Sequence, residues 1–305
     1  MAYEANIALD SVSENEQRLT TFEITFPRIV LAEFNTHRMF SRNSASSRAI
    51  PVAKQLRRVL DEPFIPVYWG ANKSGMQADV ELDELEQTFA KKEWLRQRDY
   101  AVLGAVALSG GIQSLNDEAM QRRISRLMST SGYKGISVPT PVHKQIANRL
   151  LEPFMWHTAI VTATDWSNFF ALRANPKAQP EIQQVAYLMQ DAYSFSSPQL
   201  LHNNEWHTPL IQIDEQGLSI EVLKKISVGR CARVSYLTHD GIRDHSKDIE
   251  LHDQLRTSGH MSPFEHVARP MTSGEREIVL YNGNFKGWHQ YRKDIPNEAD
   301  FSLIE

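Results

Sequence analysis

Thr36-His37-Arg38-Met39-Phe40-Ser41-Arg42-Asn43-Ser44-Ala45-Ser46-Ser47-Arg48 packs guanidinium, imidazole, hydroxyl and amide donors into one short segment. No Asp or Glu occurs from Phe34 to Leu60, whereas Arg38, Arg42, Arg48, Lys54, Arg57 and Arg58 all do, so the local field is positive in a chain of net charge −4. A basic run by itself describes a solvated face as well as a site. A solvated helix face favours Lys and Glu pairs. Ser, Asn and Arg instead make directed, charge-assisted hydrogen bonds to phosphate oxygens, and Arg does so through a two-pronged fork. The segment therefore reads as a phosphate-binding loop.

Read residue by residue, it resembles the signature of the flavin-dependent thymidylate synthases: Arg-His-Arg, two residues, Ser, one residue, Asn-Glu, one residue, Ser, one residue, Arg-Tyr. His37, Arg38, Ser41, Asn43, Ser46 and Arg48 stand where that pattern has the same residue. Thr36 stands in place of the first Arg, Ser44 in place of Glu and Ala49 in place of Tyr. The resemblance implies that His37 and Arg38 hold the phosphate side of a flavin, and that Ser46 and Arg48 hold the phosphate of a deoxyuridine nucleotide.

A second patch points the same way. Asn168-Phe169-Phe170-Ala171-Leu172-Arg173-Ala174 followed by Lys177-Ala178-Gln179-Pro180-Glu181-Ile182-Gln183 resembles the family's Asn-Phe-x-x-Leu-Arg and Ala-Gln-x-Glu-Ile segments, in the expected order. By that resemblance Asn168 contacts flavin, Arg173 faces the pyrimidine ring and steadies its developing negative charge, and Lys177 takes a flavin-binding position where the family often has His. Arg149, in Ala147-Asn148-Arg149-Leu150-Leu151-Glu152-Pro153, resembles a further nucleotide-binding Arg. Read without the resemblance, it is an ordinary surface residue of an amphipathic helix.

Two C-terminal segments, Cys231-Ala232-Arg233-Val234-Ser235-Tyr236 and Ser258-Gly259-His260-Met261-Ser262-Pro263-Phe264-Glu265-His266, are similar to segments near the N-terminus of the family. The order implies a circularly permuted chain, with the flavin contacts His260, Ser262 and Glu265 arriving from the other end. An internal duplication is the rival, Gly287 to Lys293 with Asn297-Glu298 then being a decayed second loop. Permutation is preferred because that stretch lacks the Ser and Arg partners. Permutation costs little when domain termini lie close together at the surface. Ser262-Pro263-Phe264-Glu265 also reads as a capping box with Pro at the first helical position.

Composition narrows the remaining classes. With 41% hydrophobic and 23% charged residues, 305 residues suffice for one large core or two modest ones, and nothing marks disorder. No apolar run approaches the roughly 20 residues of a membrane span, and the first residues lack a signal-peptide layout, so a cytoplasmic protein is expected. One cysteine excludes an intrachain disulfide framework and a multi-thiolate zinc site. Cys231 is expected to be a small buried side chain, and a thiolate attack on the pyrimidine is not expected. Among 11 histidines, His202, His207, His239, His245, His252, His260 and His266 crowd the C-terminal half without a His-Glu-x-x-His spacing, so no metal site is expected. Neither a Gly-x-x-x-x-Gly-Lys-Ser/Thr loop nor a Gly-x-Gly-x-x-Gly turn is present, so a bound flavin would not use a Rossmann turn.

Along the chain, Thr20 to Leu31 reads as a strand leading into the phosphate loop, and Val52 to Leu60 as a helix. Helices are further expected over Asp83 to Leu108, from a Ser114 cap to about Met128, from Thr140-Pro141 to before Pro153, and from Pro180 onward. Gln199 to Leu218 reads as a polar loop. Helix is expected at Ile220 to Val228, strand at Ala232 to Leu237, and helix at Asp248 to Thr257. The fold class is mixed α/β, helix-rich with a central sheet. Its parts are 1–198 (phosphate loop and helices), 199–218 (joining loop) and 219–305 (the permuted part), together one catalytic unit.

The resemblance implies methylation of dUMP at C5, with methylenetetrahydrofolate as carbon donor, NADPH as reductant, FAD as the relay and a homotetramer with sites between subunits. The substitutions at Thr36, Ser44 and Ala49 motivate an alternative: a flavin-dependent one-carbon transferase acting on another pyrimidine nucleotide, by methylation or hydroxymethylation of dCMP. A nucleic-acid-binding module is disfavoured by the net charge of −4, since such domains are strongly basic.

Overall fold

The computed structural model describes residues 2–136, 138–234 and 243–296, together with Glu298 and Ser302. Its elements, in chain order, are β1 (Glu4–Ser13), β2 (Arg18–Pro27), α1 (Leu31–Phe34), β3 (Ser41–Ser44), α2 (Val52–Asp61), α3 (Glu84–Leu108), α4 (Glu118–Ser131), α5 (Lys144–Ala147), β4 (Trp156–Ala163), α6 (Ser167–Arg173), α7 (Pro180–Phe195), β5 (Gln199–Leu201), α8 (Ile220–Ala232), α9 (His245–Thr257), β6 (Ala268–Pro270), α10 (Ser273–Ile278), β7 (Tyr281–Asn282), β8 (Phe285–Lys286) and β9 (Trp288–Gln290). This is the mixed α/β, helix-rich class with a central sheet.

The sheet has the order β3-β4-β2-β1-β5. β1 runs antiparallel to β2, and β2 and β3 are each antiparallel to β4. Short β5 is parallel to β1, Ser11 standing opposite Gln199. Alternation along β2 and β4 decides what covers each face. Phe22, Ile24, Phe26, Ala159, Val161 and Ala163 point to one side and join Phe169, Phe170, Ile182, Val185 and Met189 of α6 and α7 in the main core. The intervening residues Thr21, Thr25, Thr158 and Thr162 give the other side a threonine surface, and the C-terminal part packs there: Ile160 meets Cys231 and Val234, and His266 bonds Thr162. Cys231 is fully buried, and that burial raises its thiol pKa far above the usual range. A separate helical core joins α2, α3 and α4 through Leu56, Val102, Leu103, Met120, Ile124 and Leu151.

Several sequence expectations shift. The strand expected through Leu31 ends at Pro27, and a 3-10 turn at Arg28–Val30 leads into α1. Part of the expected phosphate loop is an edge strand, β3, whose Ser41 pairs with Thr162. Asp117 caps α4, accepting from the Ala119 and Met120 amides, whereas Ser114 turns its hydroxyl to Gly111 O. The helix expected from Thr140-Pro141 is one turn of α5 followed by a 3-10 helix, Asn148–Phe154, that carries Pro153 inside it; a tighter turn tolerates the missing amide where a continuous α-helix would not. The polar stretch 199–218 contributes β5. Ala232, expected to open a strand, ends α8; residues 235–242, with His239, lie outside the described residues, as does Asn297. Ser262–His266 is a 3-10 helix without a side-chain cap. Its Glu265 carboxylate faces Ser41 and Arg292 instead of closing a capping box.

Candidate active site

α6 organises the first half of the site. Phe169 and Arg173 are four residues apart on this helix and so share a face. Phe169 sets its ring edge-on to His37, with centroids 4.9 Å apart, and one turn later Arg173 Nε donates to His37 Nε2 at 3.0 Å. Arg173 Nη2 also reaches Thr36 Oγ1 at 3.4 Å. The imidazole that accepts from a guanidinium must be neutral, and burial, then Arg173 and Arg42, lower the His37 pKa to about 4. The positive charge here belongs to arginine, with His37 as its neutral acceptor. Arg42 lies half-buried beneath the turn, its Nη1 3.4 Å from both Phe34 O and His37 O.

The second half is held from the 3-10 helix Asn148–Phe154. Asn148, fully buried, donates from Nδ2 to Ser47 O at 2.8 Å and to Ile50 O at 2.9 Å. Lys144 Nζ donates to Ala49 O at 2.9 Å. Glu152 is the hub: its Oε1 accepts from Ser47 Oγ at 3.0 Å and from Arg149 Nη1 at 2.8 Å, and Arg28 Nη2 lies 3.1 Å away. Ser46 and Arg48, which flank Ser47, are thereby brought to the element that carries Arg149. A groove of about 560 Å³ at Arg149 and Glu152 is lined also by Arg28, Ile29, Asn35 and Pro153.

The C-terminal part supplies a third side. Ser41 Oγ donates to Glu265 Oε2 at 2.8 Å, and Arg292 Nη1 donates to Glu265 Oε1 at 2.5 Å. Asn284, next to Gly283 at the β7–β8 turn, donates to Met39 O at 2.9 Å and accepts from Gln290 Nε2 at 2.8 Å. Ser262 is exposed, and His260, also exposed, contacts Ser258 Oγ through Nδ1 at 3.0 Å.

Of the residues singled out in the sequence, His37 and Arg173 are in direct contact. Ser46, Arg48 and Arg149 are linked through Ser47 and Glu152, and Glu265 bonds Ser41 of the loop. Arg38, Arg48, Asn168 and Lys177 are exposed. Among the described residues no carboxylate forms an ion pair with Arg38, Arg48, Arg173 or Lys177, which leaves their charge available to an anion. Asn148, Glu152, Asn284 and Arg292 were not singled out. Each acts through contacts across 27 to 245 residues of sequence, which no local pattern reveals.

The family model for Thy1, thymidylate synthase complementing protein, matches residues 7–199, well over half of the chain. The chain belongs to the Thy1 family. As a Thy1 protein it is an enzyme, a thymidylate synthase-type methyltransferase. The matched range holds the 36–48 segment, Arg149 and the 168–183 patch, and ends before the two C-terminal segments. Solved structures similar to the Thy1 protein include the UMP/dUMP methylase PolB from Streptomyces cacaoi bound with 5-Br dUMP, at 16% identity and TM-score 0.44 over 63% of this chain and 90% of that one. The same methylase bound with 5-Br UMP matches at 14% identity and TM-score 0.43, over 63% and 89%. No curated protein matches significantly. Among the described residues no cluster of three or more His, Cys, Asp or Glu is placed to hold a metal ion, and no helix is long and apolar enough to cross a membrane.

Proposed function

We propose that this Thy1 protein is a flavin-dependent thymidylate synthase that methylates dUMP at C5 in the cytoplasm, with methylenetetrahydrofolate as carbon donor and NADPH as reductant through FAD. The observation that carries the reading is the seating of Arg173 on His37: a guanidinium held by a neutral acceptor keeps its full charge for a bound anion. Ser46 and Arg48, with Arg149 across Glu152, hold the nucleotide phosphate. Arg173 faces the pyrimidine and stabilises the negative charge that develops on the ring, the electrostatic assistance that counts most in a closed site. Cys231, buried and protonated, takes no part as a nucleophile.

The donor set suits FAD. Arg38 and Lys177 are exposed cations without a carboxylate partner among the described residues, and Asn168, His260 and Ser262 add exposed hydrogen-bonding groups. Bound flavin would supply the relay of reducing equivalents from NADPH to the transferred carbon. Glu265 serves the same site by holding Ser41 and Arg292. In the permuted order 219–305 completes one catalytic unit with 1–198 through the 199–218 connection, its Ser262–His266 turn lying against β3. In this reading the working form is a homotetramer with sites between subunits.

The test is the visible spectrum of purified protein supplied with FAD, before and after dUMP, followed by product analysis with dUMP and dCMP. Flavin bands that shift on addition of dUMP, with dTMP as product, are expected. A flavin that responds only to dCMP, or a hydroxymethyl product, would move the enzyme to the alternative chemistry, and absence of flavin binding would overturn the reading.

A further inference from the structure

Six side chains form one hydrogen-bonded line across the threonine face of the sheet. With its amide nitrogen toward His266, Asn43 donates to Nε2 at 3.0 Å, and that nitrogen also faces Ser262 O at 3.3 Å and Arg42 O at 3.2 Å. His266 Nδ1 lies 2.8 Å from Thr162 Oγ1. Thr162 Oγ1 lies 2.7 Å from Thr21 Oγ1, its cross-strand partner. Thr21 Oγ1 is 2.8 Å from His207 Nε2, and His207 Nδ1 is 2.8 Å from Ser11 Oγ. Thr21, Thr162, His207 and His266 have no exposed surface, and Ser11 is 1% exposed, so water cannot substitute for a missing partner.

Such a line has a direction. A neutral imidazole has one donor and one acceptor, and a hydroxyl has a single proton to give. A donating Asn43 leaves His266 Nε2 as acceptor and puts the ring proton on Nδ1. Thr162 then accepts from His266 and donates to Thr21, Thr21 donates to His207 Nε2, and His207 donates from Nδ1 to Ser11. Burial keeps both rings neutral, lowering each pKa to about 3.

We infer that His266, Thr162, Thr21 and His207 are positioning residues for Asn43, whose amide sets the direction of the whole line and is held by it. The inference rests on the proposed function, because Asn43 lies in β3 immediately before the Ser46–Arg48 turn assigned to the nucleotide phosphate. The line fastens that turn to the far side of the sheet, where β1 receives β5. It also joins the two parts of the chain, since His207 and His266 lie C-terminal to every threonine they bond.

The test reads histidine tautomers by nitrogen-15 NMR in the full-length protein. Both His207 and His266 are expected to carry their proton on Nδ1 from pH 6 to 8. In Asn43→Asp the carboxylate accepts instead of donating, so both rings should switch together to Nε2–H. Thr162→Val cuts the line at nearly constant shape: His207 should cease to follow position 43, and KM for dUMP should rise about 5- to 10-fold with a smaller change in kcat, the scale of one lost hydrogen bond. Thr162→Ser should restore both. Tautomers that differ between the two rings, or that switch independently, overturn the inference whatever the enzyme binds. Coupled tautomers with an unchanged KM in Thr162→Val overturn the positioning role. Binding of dUMP by the wild-type protein, measured first, separates either failure from a failure of the proposed function.

Discussion

Arg173 and His37 are 136 residues apart in sequence and meet through one hydrogen bond. The contact gives each side chain its state: the imidazole stays neutral, and the guanidinium is aimed. Arg173→Ala removes the charge while leaving the core beneath α6 intact. It is expected to lower kcat/KM for dUMP about 10- to 100-fold, the range of a charge-assisted hydrogen bond, with an unchanged circular dichroism spectrum; a loss under threefold would refute its role. The His37 ring should not titrate between pH 8 and 5, because its pKa lies at about 4. In Arg173→Ala that pKa should rise part of the way toward 6.5 as one of the two neighbouring charges disappears. A wild-type midpoint near 6.5 by NMR would show that the contact does not exist in solution.

At the level of elements, helix ends and close approaches are where single residues decide. α8 and α9 cross at Gly229, where an added Cβ would stand 2.3 Å from Asp248 O. The obstacle is backbone, so Gly229→Ala must push the helices apart and pull Asp248 from Arg230 and Arg233. A loss of about 1–3 kcal/mol is expected, as for other overpacked cores, and would appear as a lower urea midpoint. Asp117→Ala removes the α4 cap and should cost about 1 kcal/mol. Because α4 packs in the helical core away from the 36–48 segment, kcat should not change; parallel melting and turnover measurements check both halves of that statement.

The whole molecule carries buried histidines on several elements, and their titration sums. His157, His207 and His266 each have a pKa lowered to about 3, with burial as the first cause. Folded-state values below the unfolded value near 6.5 mean that, as pH falls from 6.5 toward 3, the unfolded chain takes up protons that the folded one refuses. Stability is therefore full above about pH 7 and declines on acidification, by up to ~4 kcal/mol per pH unit for the three together. Urea midpoints that stay level from pH 7.5 to 5 would contradict this. Arg230 poses a second global test. It is 1% exposed and bonds both Glu215 oxygens, at 2.6 and 2.5 Å, and Asp248 at 3.1 Å, so Arg230→Met removes the cation that two buried carboxylates share and leaves Asp248 to Arg233 and Glu215 to His245 and the Gln212 amide. About 3–5 kcal/mol of destabilisation is expected.

The amino-acid sequence by itself determined the class, the family and the chemistry on offer. Helices with strong periodicity or caps were legible within a few residues, as α2, α7 and α9 demonstrate, and the donor-rich segment 36–48 with Arg173 was legible because residue types carry their chemistry wherever they are placed. Boundaries that depend on a partner were not. Ser41–Ser44 is a strand because β4 offers an edge, and Gln199–Leu201 is one because β1 does. Ser262 fails to cap because Glu265 finds Ser41 and Arg292. Only tertiary structure decided which groups meet, that His37 is neutral, that Glu152 gathers Ser47 and Arg149, and that Asn43 heads a buried line. Those states arise from desolvation and from contacts between residues distant in sequence, and both exist only once the chain has closed on itself.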